Sequence, residues 1–228
     1  MSDPQRVLLL GATGLVGRHV MERAVGREDL LLMALARREI AMPKGARMEV
    51  LVAPHEGWEE AIAMIAPDKI ICALGTTISK EGGDQEAFAA IDRDFVLRMA
   101  EAAKAADVQG FAVVSSVGAN PRSENFYLRT KGEMEQRLLK TGIKRIDILR
   151  PGLLKGAREN DLRPLEGLAR MASPLANLFL TGERRKYRAI HASEVAAALL
   201  QASLEKAGGR FTHEYDAMQR LIAKLERD

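Results

Sequence analysis

Tyr127 and Lys131 form a Y-x-x-x-K pair, and two serines, Ser115 and Ser116, lie shortly upstream. On a helix, positions i and i+4 share a face, so the phenol and the ammonium would point into one cleft. A free phenol ionises near pH ~10, too high for easy proton exchange at neutral pH. A neighbouring cation favours the phenolate and makes the tyrosine a usable general acid or base. The serines close the apolar run Val113-Val114-Ser115-Ser116-Val117-Gly118. At the carboxyl edge of a parallel strand, a serine hydroxyl can hold a carbonyl oxygen while the tyrosine protonates it. The same hydroxyls could instead end the strand or cap a turn.

A second constellation opens the chain. The apolar run Arg6–Leu10 leads into Gly11-Ala12-Thr13-Gly14-Leu15-Val16-Gly17, a G-x-x-G-x-x-G spacing. It describes a buried strand, a tight turn and a helix N-terminus able to hold a dinucleotide pyrophosphate. Gly11 permits the turn, Gly14 lets backbone N–H groups approach the phosphates, and Gly17 lets the helix pack closely on the strand. A later run ends Ala34-Leu35-Ala36-Arg37-Arg38. In such a fold an acid at this point binds the ribose 2′-hydroxyl of NAD, whereas arginine suits the 2′-phosphate of NADP. Two arginines and no acid lead to the expectation of NADP (NADPH) as cofactor.

The elements that must position these residues alternate along the chain. Strands are expected over 6–10, 30–36, 48–52, 69–73, 111–115 and 145–149. Helices are expected over 15–24, 58–65, 85–106 and 125–139. Runs apolar throughout and separated by helices indicate a parallel sheet covered on both faces, a doubly wound α/β fold of the Rossmann type. After Pro151 the alternation fades, with helical patterns over 159–172, 193–204 and 213–226 and punctuation by Pro164, Pro174 and Gly182. The expectation is a single domain over 1–228, with a cofactor-binding core over 1–150 and a small substrate-side cap over 151–228.

Composition narrows the class. The 228 residues are 47% apolar and 29% charged, with a net charge of +3, which suits a globular chain and does not argue for nucleic acid. The most basic stretch, Glu183-Arg184-Arg185-Lys186-Tyr187-Arg188, is either a solvated surface or a receiver of an anionic substrate. One cysteine, Cys72, excludes a disulfide within the chain and suggests a reducing, cytoplasmic setting. Histidine and cysteine spacings match no metal-ligand pattern, so no metal is expected. No apolar run reaches the length of a membrane span.

With these motifs in place, the chain from Arg6 to about Ala202 resembles the short-chain dehydrogenase/reductase superfamily. It is most similar to an atypical, NADPH-binding branch that includes HIV-Tat-interacting-oxidoreductase-like and nucleotide-sugar-epimerase-like proteins. The likeness rests on Gly11–Gly17, on C-A-L-G-T-T at Cys72–Thr77, and on D-R-D-F at Asp92–Phe95. It rests also on S-S-V-G-A-N at Ser115–Asn120, Y-L-R-T-K-G-E at Tyr127–Glu133 and R-P-G at Arg150–Gly152. The resemblance implies Ser116, Tyr127 and Lys131 as a catalytic set. Around the cofactor it implies Gly11, Thr13, Gly14, Leu15, Val16 and Arg37, with Arg38 beside it. Leu74 and Gly75 would line the far side of the adenosine, and Pro151 and Gly152 would lie by the nicotinamide. Asp92 stands where extended members carry asparagine.

Three activities share this arrangement: a reductase of a small carbonyl compound, a dinucleotide-sensing regulator acting through a partner, and a nucleotide-sugar epimerase or dehydratase. The intact Tyr127–Lys131 pair favours the first, and the short C-terminal region weighs against the third. A homodimer through the long helices is compatible with all three.

Overall fold

The computed structural model describes residues 3–155 and 180–227. Seven parallel strands form the sheet: β1 (Gln5–Leu10), β2 (Leu30–Ala36), β3 (Glu49–Val52), β4 (Lys69–Cys72), β5 (Gly110–Val114), β6 (Arg145–Leu149) and β9 (Gly209–His213). Their order is β3-β2-β1-β4-β5-β6-β9. From β1 the chain builds outward to β3, then returns to the other side of β1 through β4. That reversal leaves a crevice outside the carboxyl ends of β1 and β4, where open α/β sheets bind ligands.

Alternation along the strands supplies both cores. In β1, Val7 and Leu9 face one side while Leu8 and Leu10 face the other, all fully buried. The first side carries α1 (Leu15–Ala24), α6 (Ala192–Leu204) and α7 (Tyr215–Leu225). The second carries α2 (Trp58–Ile65), α4 (Val96–Ala105) and α5 (Phe126–Leu138). Every residue of α6 from Val195 to Ser203 is buried. Its alanines let it lie close between the sheet and the flanking helices α1 and α7. Among the described residues no helix is long and apolar enough to cross a membrane.

Two features differ from expectation. The helix expected over 85–106 is divided into α3 (Gln85–Ala89), a π-helical turn (Ala90–Phe95) and α4. His213, expected to begin the last helix, instead closes β9, and that helix starts at Tyr215. β9 docks beside β6 with Leu149 opposite His213. There, His213 Nε2 lies 2.8 Å from Asp147 Oδ1, and Arg145 makes a two-pronged pair with the same carboxylate at 2.6 and 2.8 Å. A short ladder, β7 (Leu154–Lys155) with β8 (Ile190–His191), ties the return of the chain to the end of β6. The helix expected over 159–172, with Pro164 and Pro174, lies outside the described residues.

Candidate functional site

The turn between β1 and α1 is built as the glycine spacing requires. Gly11 has φ +88°, and a Cβ there would lie 2.6 Å from the Ala73 carbonyl at the end of β4. A Cβ on Gly17 would lie 2.2 Å from the Gly11 carbonyl oxygen, so α1 crosses β1 at a distance only glycine permits. Gly14 caps α1 without a side-chain hydrogen bond, and the first turn holds no acid. The N–H groups at Leu15 and Val16 are therefore left for an anion at the positive end of the helix. By contrast, α3 and α5 are capped by the Asp84 and Asn125 side chains.

This turn forms the floor of a crevice of roughly 450 Å³. Gly11, Thr13, Gly14, Leu15, Val16, Arg37, Arg38, Leu74, Gly75, Tyr127 and Lys131 all line it, so one cleft gathers both constellations. Ser116, Pro151 and Gly152 do not line it. Ser116 is buried, its Oγ 3.3 Å from the Val117 carbonyl. The Pro151 carbonyl accepts from the Val117 N–H at 3.0 Å. A Cβ on Gly152 would lie 2.4 Å from the Arg188 carbonyl, which seats the basic stretch against the turn after β6. In that stretch Arg185 pairs with Asp216 at 2.8 Å, and Arg188 donates to the Leu180 carbonyl.

The side of the crevice that holds Tyr127 and Lys131 is set by how α5 docks. A Cβ on Gly132 would lie 2.2 Å from the Asn120 carbonyl carbon, so the helix rests directly on the backbone that follows the serines. The Asn120 N–H donates to the Leu128 carbonyl at 3.1 Å and fixes the register. Tyr127 is half-buried, its ring 5.6 Å from that of Phe88. Ser115 lines the crevice, and its Oγ donates to Glu135 Oε1 at 2.5 Å. Glu135 is buried and also accepts from Arg150, an interaction that raises the guanidinium pKa further above its usual value.

Several lining residues were not foreseen as a group. Asp92, on the π-helical turn, is 1% exposed. Its Oδ1 lies 2.5 Å from Lys131 Nζ, and its Oδ2 accepts from the Thr76 N–H at 2.7 Å. The sequence signal was the acid at Asp92 in the place where extended members of the resembling superfamily carry asparagine. At the end of the crevice lined by Arg37, His55 packs against Trp58 and Phe95, with ring centroids 5.0 and 4.5 Å away. Burial, and then the charge of Arg37, lower its pKa and hold the imidazole neutral at pH 7. Cys72, fully buried at the end of β4, has its thiol pushed up to about 12 by burial and is no nucleophile.

Comparison with known proteins gives the kinship. A sequence profile described as NAD(P)H-binding matches residues 11–205. The chain is similar to the mitochondrial protein fmp52 of Emericella nidulans, at 33% identity over 72% of each chain. It is similar also to the protein HTATIP2 of Rattus norvegicus, at 36% identity over 72% of this chain and 68% of that one. Among solved structures, MoeE5 in complex with UDP-glucose and NAD superposes with a TM-score of 0.65. Its identity is 17%, over 97% of this chain and 81% of that one.

Two expectations are corrected by these findings. NADP was expected from Arg37 and Arg38, but MoeE5 and the Bordetella bronchiseptica enzymes WbmG and WbmH are described with bound NAD. Both arginines are exposed at the end of β2, where long cationic side chains commonly stay solvated whether or not a phosphate is present. The residue type alone therefore does not choose. A cytoplasmic setting was expected from the single cysteine, but several fungal relatives are mitochondrial proteins. A lone buried thiol excludes a disulfide within the chain without selecting a compartment. The glycine turn, the uncapped helix and the extent of the match lead to one conclusion: the chain belongs to the NAD(P)H-binding family of Rossmann-fold proteins.

Proposed function

We propose that the chain is an NAD(P)-dependent oxidoreductase acting on a small carbonyl or alcohol substrate, with Tyr127 as its general acid or base. The observation that carries this reading is the convergence of Tyr127 and Lys131 on the crevice floored by the glycine turn. The residues fit a dinucleotide: uncapped N–H groups at one end, aromatic and guanidinium side chains beside the adenosine position, and a proton-transfer pair at the other. NAD is the form described with the solved neighbours. When bound, the dinucleotide supplies or takes up the hydride.

The chain's own residues do the rest. Tyr127 gives a proton to the substrate oxygen in reduction and removes one in oxidation. Lys131 places its ammonium one helical turn away and favours the phenolate. Of the two serines, Ser115 has its proton committed to Glu135, whereas Ser116 makes only a 3.3 Å contact. Ser115 is the serine that lines the crevice, so it meets a substrate oxygen only if its proton turns away from Glu135, while Ser116 stays behind the wall.

The test is Tyr127→Phe, screened with NAD and NADH against alcohols, aldehydes, ketones and nucleotide sugars. Turnover falls by roughly 10²–10⁴ while dinucleotide affinity stays within about two-fold. Unchanged turnover overturns the role of Tyr127, and no turnover on any substrate beside intact dinucleotide binding leaves a dinucleotide-binding regulator. The UDP-glucose held by MoeE5 favours a second reading, a nucleotide-sugar epimerase or dehydratase. Sugar conversion without net change in the dinucleotide would establish it.

A further inference from the structure

The ion pair between Asp92 and Lys131 gives the proposed reaction a control that a Tyr–Lys pair alone lacks. Both side chains are almost wholly withdrawn from water, at 2% and 5% exposure, and lie 2.5 Å apart at the wall of the crevice. The second carboxylate oxygen is held by the part-buried Thr76 N–H at 2.7 Å, a bond the carboxylate gives up if it swings away. Gly75 leaves the carboxylate room, since a Cβ there would press on Asp92 Oδ1 at 3.3 Å. The π-helical turn advances this one residue out of regular helical register, a distortion found often at functional sites.

Carboxylate and ammonium together carry no net charge. An asparagine in the same place would hold Lys131 by a hydrogen bond and leave its positive field whole. We propose that Asp92 is a positioning residue that clamps Lys131 in the crevice and sets how much of the ammonium's field reaches the Tyr127 phenol. The proposal rests on the reading of Tyr127 and Lys131 as a proton-transfer pair.

Other groups around the pair do not supply the same control. From β4 the Cys72 thiol faces it and stays protonated. From β5 Ser115 is bound to Glu135, which Arg150 of the segment after β6 balances. Lys80 and Glu81 line the crevice mouth, where Glu81 accepts from the Thr76 hydroxyl at 2.6 Å. Phe88, from α3, brings no charge to the Tyr127 ring.

The test is a tyrosinate absorbance titration of the protein without dinucleotide. The chain has three tyrosines, so the Tyr127 component is isolated by subtracting the Tyr127→Phe curve. Asp92→Asn keeps an acceptor for the Thr76 N–H and removes the negative charge. The phenol is then expected to ionise about one pH unit lower than in the wild type, the shift expected from one uncompensated charge less than ~10 Å away. The pH profile of turnover should move in the same direction. Coincident wild-type and Asp92→Asn titrations overturn the proposal, and so does a shift to higher pH.

If Asp92→Asn fails to fold, Lys131→Met is compared with the double variant Asp92→Asn/Lys131→Met. The phenol must ionise at higher pH in the single variant, where the carboxylate remains, and equal values overturn the proposal. Because the titration needs neither substrate nor dinucleotide, its result is independent of whether Tyr127→Phe affects turnover.

Discussion

Replacing Gly17 with alanine separates the packing role of the glycine turn from its binding role. The new Cβ would lie 2.2 Å from the Gly11 carbonyl oxygen, 2.8 Å from its carbon and 2.9 Å from Ala12 Cα, all of them backbone atoms. No side chain can rotate out of the way, so α1 must move off β1 by about 1 Å to restore contact distance. Overpacking of this kind costs about 3 kcal/mol, the upper end of the usual range. Alanine returns about 1 kcal/mol of helix propensity, so the net loss is about 2 kcal/mol. At Gly14 the nearest atom to an added Cβ is 3.2 Å away and φ is −74°, so Gly14→Ala folds with a loss below about 1 kcal/mol. Its methyl group instead occupies the place where the backbone must approach a pyrophosphate, and dinucleotide affinity falls at least about ten-fold. Urea unfolding reads stability. Trp58, the one tryptophan, lines the crevice and reports binding by its fluorescence. A Gly17→Ala protein as stable as the wild type would refute the packing argument, as would a Gly14→Ala protein that loses as much stability as Gly17→Ala.

Three further outcomes are expected. Glu135→Ala leaves Ser115 and Arg150 without their shared acceptor and costs about 2–3 kcal/mol in thermal unfolding, less than a fully enclosed pair because the Arg150 side chain keeps 26% exposure. A loss under about 1 kcal/mol would show that water replaces the carboxylate. Lys131→Met strands the Asp92 carboxylate, so it lowers both stability and dinucleotide affinity, whereas Tyr127→Phe lowers neither. Cys72 carries a pH dependence, because its folded pKa of about 12 lies above the unfolded value. The stabilisation this gives is complete below the unfolded pKa of about 8.5 and is lost as pH rises toward the folded one. Relative to Cys72→Ala, the wild type should therefore lose about 2 kcal/mol between about pH 8 and pH 10, and parallel pH profiles would contradict this.

Strands buried on both faces were the most legible part of the sequence. The expected 30–36 matches β2, because an unbroken apolar run between turn residues has few other uses, and 145–149 matches β6, where β-branched Ile146 and Ile148 alternate with Arg145 and Asp147. β9 was missed for the opposite reason. Gly-Arg-Phe-Thr-His starts with glycine, alternates polar residues and lies at the sheet edge, so it looks like the approach to a helix. The π-helical turn was invisible because one extra residue barely disturbs apolar periodicity over a 22-residue helical stretch. At the site, motif spacing found the residues that line the crevice by short-range geometry. It could not show that Asp92 reaches Lys131, since that contact depends on how the π-helical turn faces α5. Nor could it divide the serines, whose different partners are set by Glu135 one turn beyond Lys131.

The position of β9 has a consequence for how the chain folds. β1 through β6 are joined by crossovers of ordinary length, but β9 reaches β6 only after the chain has made its excursion through residues 150–208. Pairing across that separation carries a larger loop-closure entropy, so the edge strand is expected to zip on late. Until it does, the Arg145–Asp147 pair stands in water at the unfinished edge, and docking of β9 dehydrates it while His213 supplies a partner. The last step of folding is thus the one that takes this ion pair out of water. A chain halted before it would hold the nucleotide cradle, which belongs to β1 and β4, on a sheet still open at its far side.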